Sequence, residues 1–216
     1  MDFELARTQM LGQQLRAWEV LDDRVLRAFG ETPRENFVPS DYRDLAFADV
    51  EIPLGHGQSM LAPKVEGRFL QALQIEPIDD VLVVGTGRGY LTACIARLAK
   101  HVTSIDIFPD LVAAAQSKIA ASGIRNVELT ATDAFDLSYR ARFDAIAVTG
   151  SVPHLDQHFT AMLRPQGRLC IVVGRAPAME ARVVTLQPDG TTTTDSLFET
   201  VLAPLRNAER PEPFVL

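Results

Sequence analysis

Gly85, Gly87 and Gly89 follow the apolar run at 81–84 directly and lead straight into a stretch with helical spacing. Glycine permits positive backbone angles and close backbone approach, so a strand–turn–helix unit of this kind can hold a ligand at a helix amino terminus. Thr86 belongs to the same turn. Asp106 closes the next apolar-rich run, 102–107, where a carboxylate can accept both hydrogen bonds of a ribose diol; Ile107 adjoins it. Asp133, followed by Ala134, closes a third run at 126–133, and its carboxylate suits an adenine amino group. Singly these are a tight connection, a cap before Pro109 and a turn aspartate. At the ends of successive strands they form an adenosine-sized constellation. The turn reads GxGxG and puts Tyr90 where the third glycine of a dinucleotide motif packs, which disfavours a nicotinamide cofactor.

A parallel sheet is what brings three strand ends to one edge, and the rest of the chain predicts one. Strands are expected at 81–85, 102–107, 126–133, 143–150 and 168–174, with helices over 89–99, 109–121 and 155–163 between them. A ProAspGly turn at 188–190 separates two further strand-prone runs, so an antiparallel pair should close the sheet. The expected fold is α/β and Rossmann-like: a mainly parallel sheet with an antiparallel carboxyl-terminal strand, helices on both faces and a helical amino-terminal extension. We read 1–216 as one domain, with a helical and loop region over 1–78 and a ligand-binding core over 79–216.

In the extension, Phe3, Leu5, Met10, Leu11, Leu15 and Trp18 predict one helix with a buried stripe. A second helix should start at Asp22 or Asp23, bury Val25, Leu26 and Phe29, and end at Gly30. Residues 46–63 hold two glycines and two prolines without a sustained period, which predicts a shaped loop of functional rather than regular character. After Pro63, Val65, Phe69, Leu70 and Leu73 restore helical spacing.

Composition narrows the partners. The chain has 216 residues, 47% of them hydrophobic, and a net charge of −7; residues 1–80 carry 15 acids against 8 bases, and 81–216 carry 13 of each. An acidic surface without a Lys/Arg cluster argues against nucleic acid. No apolar run reaches the length of a membrane span, and the amino terminus lacks the pattern of a secretion signal, so a cytoplasmic location and no membrane partner are expected. Cys94 and Cys170 lie in apolar runs and read as small buried hydrophobes. His154 and His158 share helical spacing, but without a third ligand they predict no metal site.

The segments RTQMLGQQL, VLRAFGETPRENFVP (25–39), AFADVEIPLGHGQSMLAP (46–63), VLVVGTGRGYLTACIARL (81–98) and FDAIAVTGSVP (143–153) together resemble the protein-L-isoaspartate O-methyltransferases, a class I S-adenosylmethionine-dependent family. The resemblance covers most of the chain, and LAPL near the end is similar to the family's closing strand. It implies S-adenosylmethionine bound at Gly85, Thr86, Gly87 and Gly89, a ribose contact at Asp106 and Ile107, and an adenine contact at Asp133 and Ala134. The family's glycine-aspartate-glycine adenine motif is Thr132-Asp133-Ala134 here. The family's catalytic serine is replaced by Leu61, which has no side-chain donor, so the hydroxyl of Ser59 is the expected catalytic group.

A carboxylate nucleophile with a pKa near ~4 is ionised at neutral pH and needs no general base. Placement therefore dominates, and the loss of one hydroxyl should slow or redirect the reaction rather than abolish it. His56 then contributes local polarity, Lys64 and Arg68 read as a solvated helix face or as anion-steering groups, and Arg88 as a cover for the cofactor carboxylate. The expected function is repair methylation of isoaspartyl proteins and peptides. Alternatives are a methyltransferase for another small carboxylic acid walled by Leu61, a cofactor-binding protein without turnover, and a nicotinamide oxidoreductase.

Overall fold

The computed structural model describes residues 2–208. Its amino-terminal part is helical: α1 (Phe3–Gln9) runs into a π-helical turn over Met10–Leu15 and a 3-10 turn over Arg16–Trp18. One stretch of helix was expected, and its winding changes because the two buried side chains, Met10 and Leu15, lie five residues apart. Helix α2 (Asp23–Glu31) is capped by the Asp22 carboxylate, which accepts from the Arg24 N–H, and buries Val25, Leu26, Ala28 and Phe29. It runs through Gly30 rather than ending there, and the Thr32 hydroxyl closes it by donating to the Ala28 carbonyl at 2.7 Å.

The expected loop at 46–63 contains a small antiparallel hairpin, β1 (Ile52–Gly55) with β2 (Gln58–Met60). His56 and Gly57 form its two-residue turn, both with positive φ, a geometry that matches strand twist. Strands of four and three residues are too short to show a period in the sequence. Helix α3 (Pro63–Leu73) follows, with proline at its first position.

A seven-stranded sheet fills the remainder. Its strands are β3 (Asp80–Val84), β4 (His101–Asp106), β5 (Val127–Ala131), β6 (Phe143–Val152), β7 (Leu163–Arg175), β8 (Ala178–Leu186) and β9 (Thr192–Glu199), in the order β5-β4-β3-β6-β7-β8-β9. The first five are parallel, and β8 and β9 add the antiparallel pair that the ProAspGly turn predicted. LAPL does not supply a closing strand. Pro204 makes only an isolated bridge to Ser151, and the closing strand is β9.

Alternation along β3 serves two cores. Val81 and Val83 pack with the amino-terminal helices, α3 and α4 (Tyr90–Ala96), while Leu82 and Val84 pack with Phe159, Met162 and the β6–β7 residues of the opposite face. Helix α5 (Pro109–Ala121) links β4 to β5, and α6 (Gln157–Thr160) is shorter than expected because Asp156 caps it late and β7 begins at Leu163. Cys94 and Cys170 are buried and free, and burial pushes the Cys94 thiol up to about 12, so both pack as hydrophobes. No helix among the described residues is long and apolar enough to cross a membrane.

Candidate active site

Strand order reverses at β3: β4 and β5 lie to one side of it and β6 to β9 to the other. The crevice at the carboxyl end of β3 is therefore the switch point where open α/β sheets bind ligands. The Gly85–Gly89 turn occupies it. Gly85 and Thr86 both donate their N–H to the Ile105 carbonyl, at 2.8 and 3.0 Å, which fastens the turn to β4. Gly85, Gly87 and Gly89 have φ of 90°, 53° and 91°. A side chain on Gly85 would run into the Thr149 hydroxyl, and one on Gly89 would meet Ala115 and Ile119 of α5 at 3.0 Å. The Thr86 side chain points inward, where its hydroxyl and that of Thr92 meet Ser104 at 2.7 and 3.0 Å.

Asp106 stands at the end of β4, 8% exposed. Its Oδ2 accepts the Gly87 N–H at 2.8 Å and its Oδ1 the Phe108 N–H at 3.1 Å. Burial raises its pKa, and these backbone donors partly offset the rise. Asp133 follows β5 and caps a 3-10 turn by accepting the Phe135 N–H at 2.9 Å, while its Oδ2 accepts from the Asn207 amide at 2.5 Å. The carboxylate expected at the adenine thus also ties the 205–207 segment to the rim. Seven of the eight residues expected at the cofactor line one cavity of about 870 Å³, counted with its open mouth. The eighth, Gly89, instead opens α4 and packs against Ala115 and Ile119 of α5.

The same cavity continues past the glycine turn to Leu54, Ser59, Met60 and Leu61 of the hairpin region and to Glu66 of α3. Ser59 is thereby placed beside the cofactor cradle, and its hydroxyl lies near the Glu51 carboxyl, whose pKa is lifted by desolvation.

The family model for Protein-L-isoaspartate(D-aspartate) O-methyltransferase (PCMT) matches residues 6–210. The chain belongs to this family. The protein-L-isoaspartate O-methyltransferase 1 of Anaeromyxobacter sp. is 38% identical over 201 residues, covering 92% of this chain and 95% of that protein. The protein-L-isoaspartate O-methyltransferase of Aeropyrum pernix is 34% identical over 205 residues, covering 93% and 79%. In fold, the chain is similar to a Plasmodium falciparum structure described as a putative protein-L-isoaspartate O-methyltransferase in complex with S-adenosyl-L-homocysteine. The TM-score is 0.79 with 20% identity, covering 95% of this chain and 99% of that one.

Several groups around the site of this protein-L-isoaspartate O-methyltransferase family member escape a sequence reading. Arg34 is fully buried: Nε donates to the Ala46 carbonyl at 2.8 Å, Nη2 to the Leu61 carbonyl at 2.6 Å, and Nη1 to Glu66 Oε2. Its guanidinium lies over the Tyr90 ring at 4.5 Å. Tyr90 packs edge-on against Phe29 and Phe37 and also lines the cavity. At the rim, His56 stacks on Phe108 at 4.1 Å, pairs with Asp110 at 3.0 Å, and accepts at its carbonyl from Arg206 at 3.1 Å. These partners lie 52–150 residues away from His56, so local spacing carries no sign of them.

Other candidates have structural duties. Lys64 pairs with Asp49 at 2.6 Å and covers Trp18, and Arg68 bonds the Trp18 carbonyl and Glu19, both at 3.1 Å. Neither lines the cavity. Arg88 does line it, with Nε donating to the Phe37 carbonyl at 2.8 Å and its pKa lowered by burial. His158 Nε2 hydrogen-bonds with the Ala134 carbonyl at 2.8 Å, and among the described residues no cluster of three metal-ligating side chains occurs.

Proposed function

We propose that the protein methylates isoaspartyl carboxylates of altered proteins and peptides, with S-adenosylmethionine as the donor. One observation carries this reading: in a member of this family, the glycine cradle and an acceptor chamber walled by the 52–61 hairpin region form a single continuous cavity. The residues present fit the cofactor, since Gly85 and Gly87 keep the turn free of side chains where it borders the cavity. A side chain at Gly85 would collide with Thr149 of the lining, and the buried Asp106 carboxylate borders the same cavity. Gly85, Thr86 and Gly87 would hold S-adenosylmethionine, with Asp106 and Ile107 at its ribose and Asp133 and Ala134 at its adenine. When bound, it supplies an electrophilic methyl group.

The chain's own task is placement. An isoaspartyl carboxylate is already ionised at neutral pH, so no residue has to remove a proton. Aligning two reactants contributes roughly 7–11 kcal/mol, far more than any one hydrogen bond. The hairpin supports that alignment: Arg34 anchors the Leu61 carbonyl, and Leu54 of β1 approaches Gly87. Ser59 orients the acceptor when its hydroxyl turns from Glu51 into the cavity. Loss of one such bond is worth about 0.5–1.5 kcal/mol, so S59A is expected to lower kcat/KM roughly 2- to 12-fold. L61A should lower it less per folded molecule, and equal effects on kcat/KM would count against Ser59.

The deciding assay transfers labelled methyl groups to an isoaspartyl peptide and to its aspartyl counterpart. Selective labelling of the isoaspartyl peptide is the expected result. Labelling of neither peptide overturns the reading. Labelling of a small carboxylic acid instead would point to the apolar Leu61 wall as the selector of a different acceptor.

A further inference from the structure

Glu66 is an unusual lining residue. It is 2% exposed on an otherwise apolar face of α3, yet it borders the acceptor end of the cavity beside Leu61. Its hydrogen bond to Arg34 falls on Oε2. The charged and titratable groups that face it are Arg34, from the turn after α2, and Tyr90 and Cys94, from α4. Burial keeps the tyrosine and cysteine protonated, Cys94 with a pKa of about 12. Lys64 and Arg68, on its own helix, are committed to Asp49 and Glu19. One positive and one negative charge therefore share a buried compartment. An anionic acceptor that enters it adds a second negative charge.

We propose that Glu66 is the acceptor-selecting residue: it takes up a proton as an anionic carboxylate enters, and its cavity-side oxygen then donates a hydrogen bond to that carboxylate. The incoming anion replaces the charge of Glu66 as counterion to Arg34, and the total charge of the compartment stays the same. The proton comes from solvent and no covalent bond changes. This deepens the proposed function and rests on it, since it assumes a carboxylate acceptor. Desolvation lifts the Glu66 carboxyl to about 7 against the pull of Arg34, so the proton is available near neutrality. Leu61 has no side-chain donor. The Tyr90 hydroxyl, buried without a hydrogen-bond partner, lines the same chamber as a neutral donor, and Glu66 is the lining group there that can change its charge as an anion enters.

Calorimetry of an isoaspartyl hexapeptide binding to the protein loaded with S-adenosylhomocysteine, in buffers of different ionisation enthalpy, tests this. The wild type should take up about half a proton per peptide at pH 7 and about nine-tenths at pH 8. E66Q should take up none, and its peptide affinity should lose the decline, up to tenfold per pH unit, that the wild type shows above pH 7. The acceptor carboxylate itself titrates near ~4 and contributes nothing in this range. H56Q, at the rim, should keep the wild-type uptake. Peptide binding without proton uptake, or equal uptake in E66Q, overturns the inference and leaves the proposed function intact. If the wild type neither binds nor methylates the peptide, the proposed function fails instead. Acetate then decides: an upward shift in the titration midpoint of the Glu66 carboxyl carbon resonance supports the inference, and no shift overturns it.

Discussion

An Asp106→Ala variant is expected to bind S-adenosylhomocysteine at least about 100-fold more weakly than the parent while remaining folded. Hydrogen bonds to a charged group contribute about 1.5–3 kcal/mol each, and loss of two to a ribose diol gives about 3 kcal/mol or more, a factor of roughly 100. The same carboxylate also holds the cradle, because it accepts the N–H of Gly87 and of Phe108. Its removal frees both sides of the crevice. Stability should change less than affinity, since burial already opposes the charge at Asp106 and alanine relieves that cost. Asp106→Asn separates the two duties: it preserves shape but turns an amide NH2 toward one of two backbone donors. Its affinity should lie between those of the parent and D106A. Calorimetric Kd values beside thermal unfolding midpoints check this, and a loss below about tenfold in D106A would remove Asp106 from the ribose site.

Asp106 was legible in the sequence because its position follows from local pattern alone. An apolar run, a glycine turn and a second apolar run fix where two parallel strands end, and the ends of neighbouring strands share an edge. Helix α5 was equally plain: Pro109 suits a first helical turn, and the observed element spans Pro109–Ala121 as the spacing predicts. Reading fails where a short element or a distant contact decides the outcome. The β1–β2 hairpin is too brief for periodicity, although His56-Gly57 between short runs was a turn signal. Strand β7 starts five residues before the expected 168 because ArgProGlnGly, which looks like a break, is absorbed into the strand. Gln166 adopts a positive φ there and the register against β6 shifts. At the site, the glycine turn and the loop that carries Ser59 and Leu61 were readable, and the buried Arg34–Glu66 pair behind them was not. Glu66 does carry a faint sign, since it precedes Phe69 and Leu70 by three and four residues and so falls on the apolar stripe of α3. A lone charge on a buried stripe calls for a partner, and only the fold reveals Arg34, 32 residues earlier.

That partnership carries the largest expected effect on stability. Arg34→Met should destabilise the protein by about 3–5 kcal/mol at pH 8, the range found when one member of a buried ion pair is removed. Three losses combine: Glu66 loses its counterion and must stay charged alone or take up a proton, and the carbonyls of Ala46 and Leu61 lose their donors. pH distinguishes the first from the others. Because the Glu66 carboxyl is lifted to about 7 in the folded chain, from 4.5, its linked stability is greatest below 4.5 and falls as pH rises through 7. Without Arg34 that carboxyl rises further, so R34M should retain its proton at pH 6 and lose much less stability there than at pH 8. Arg34→Met with Glu66→Met removes the stranded charge as well and should recover part of the deficit at pH 8, with little pH dependence left. Full recovery is not expected, since each orphaned carbonyl still costs about 1–3 kcal/mol. Urea unfolding of the three proteins at pH 6 and pH 8 measures all of this. If R34M and the double variant were equally unstable at both pH values, the carbonyls alone would account for the role of Arg34, and the charge on Glu66 would have no part in fastening α3 to the Leu61 segment.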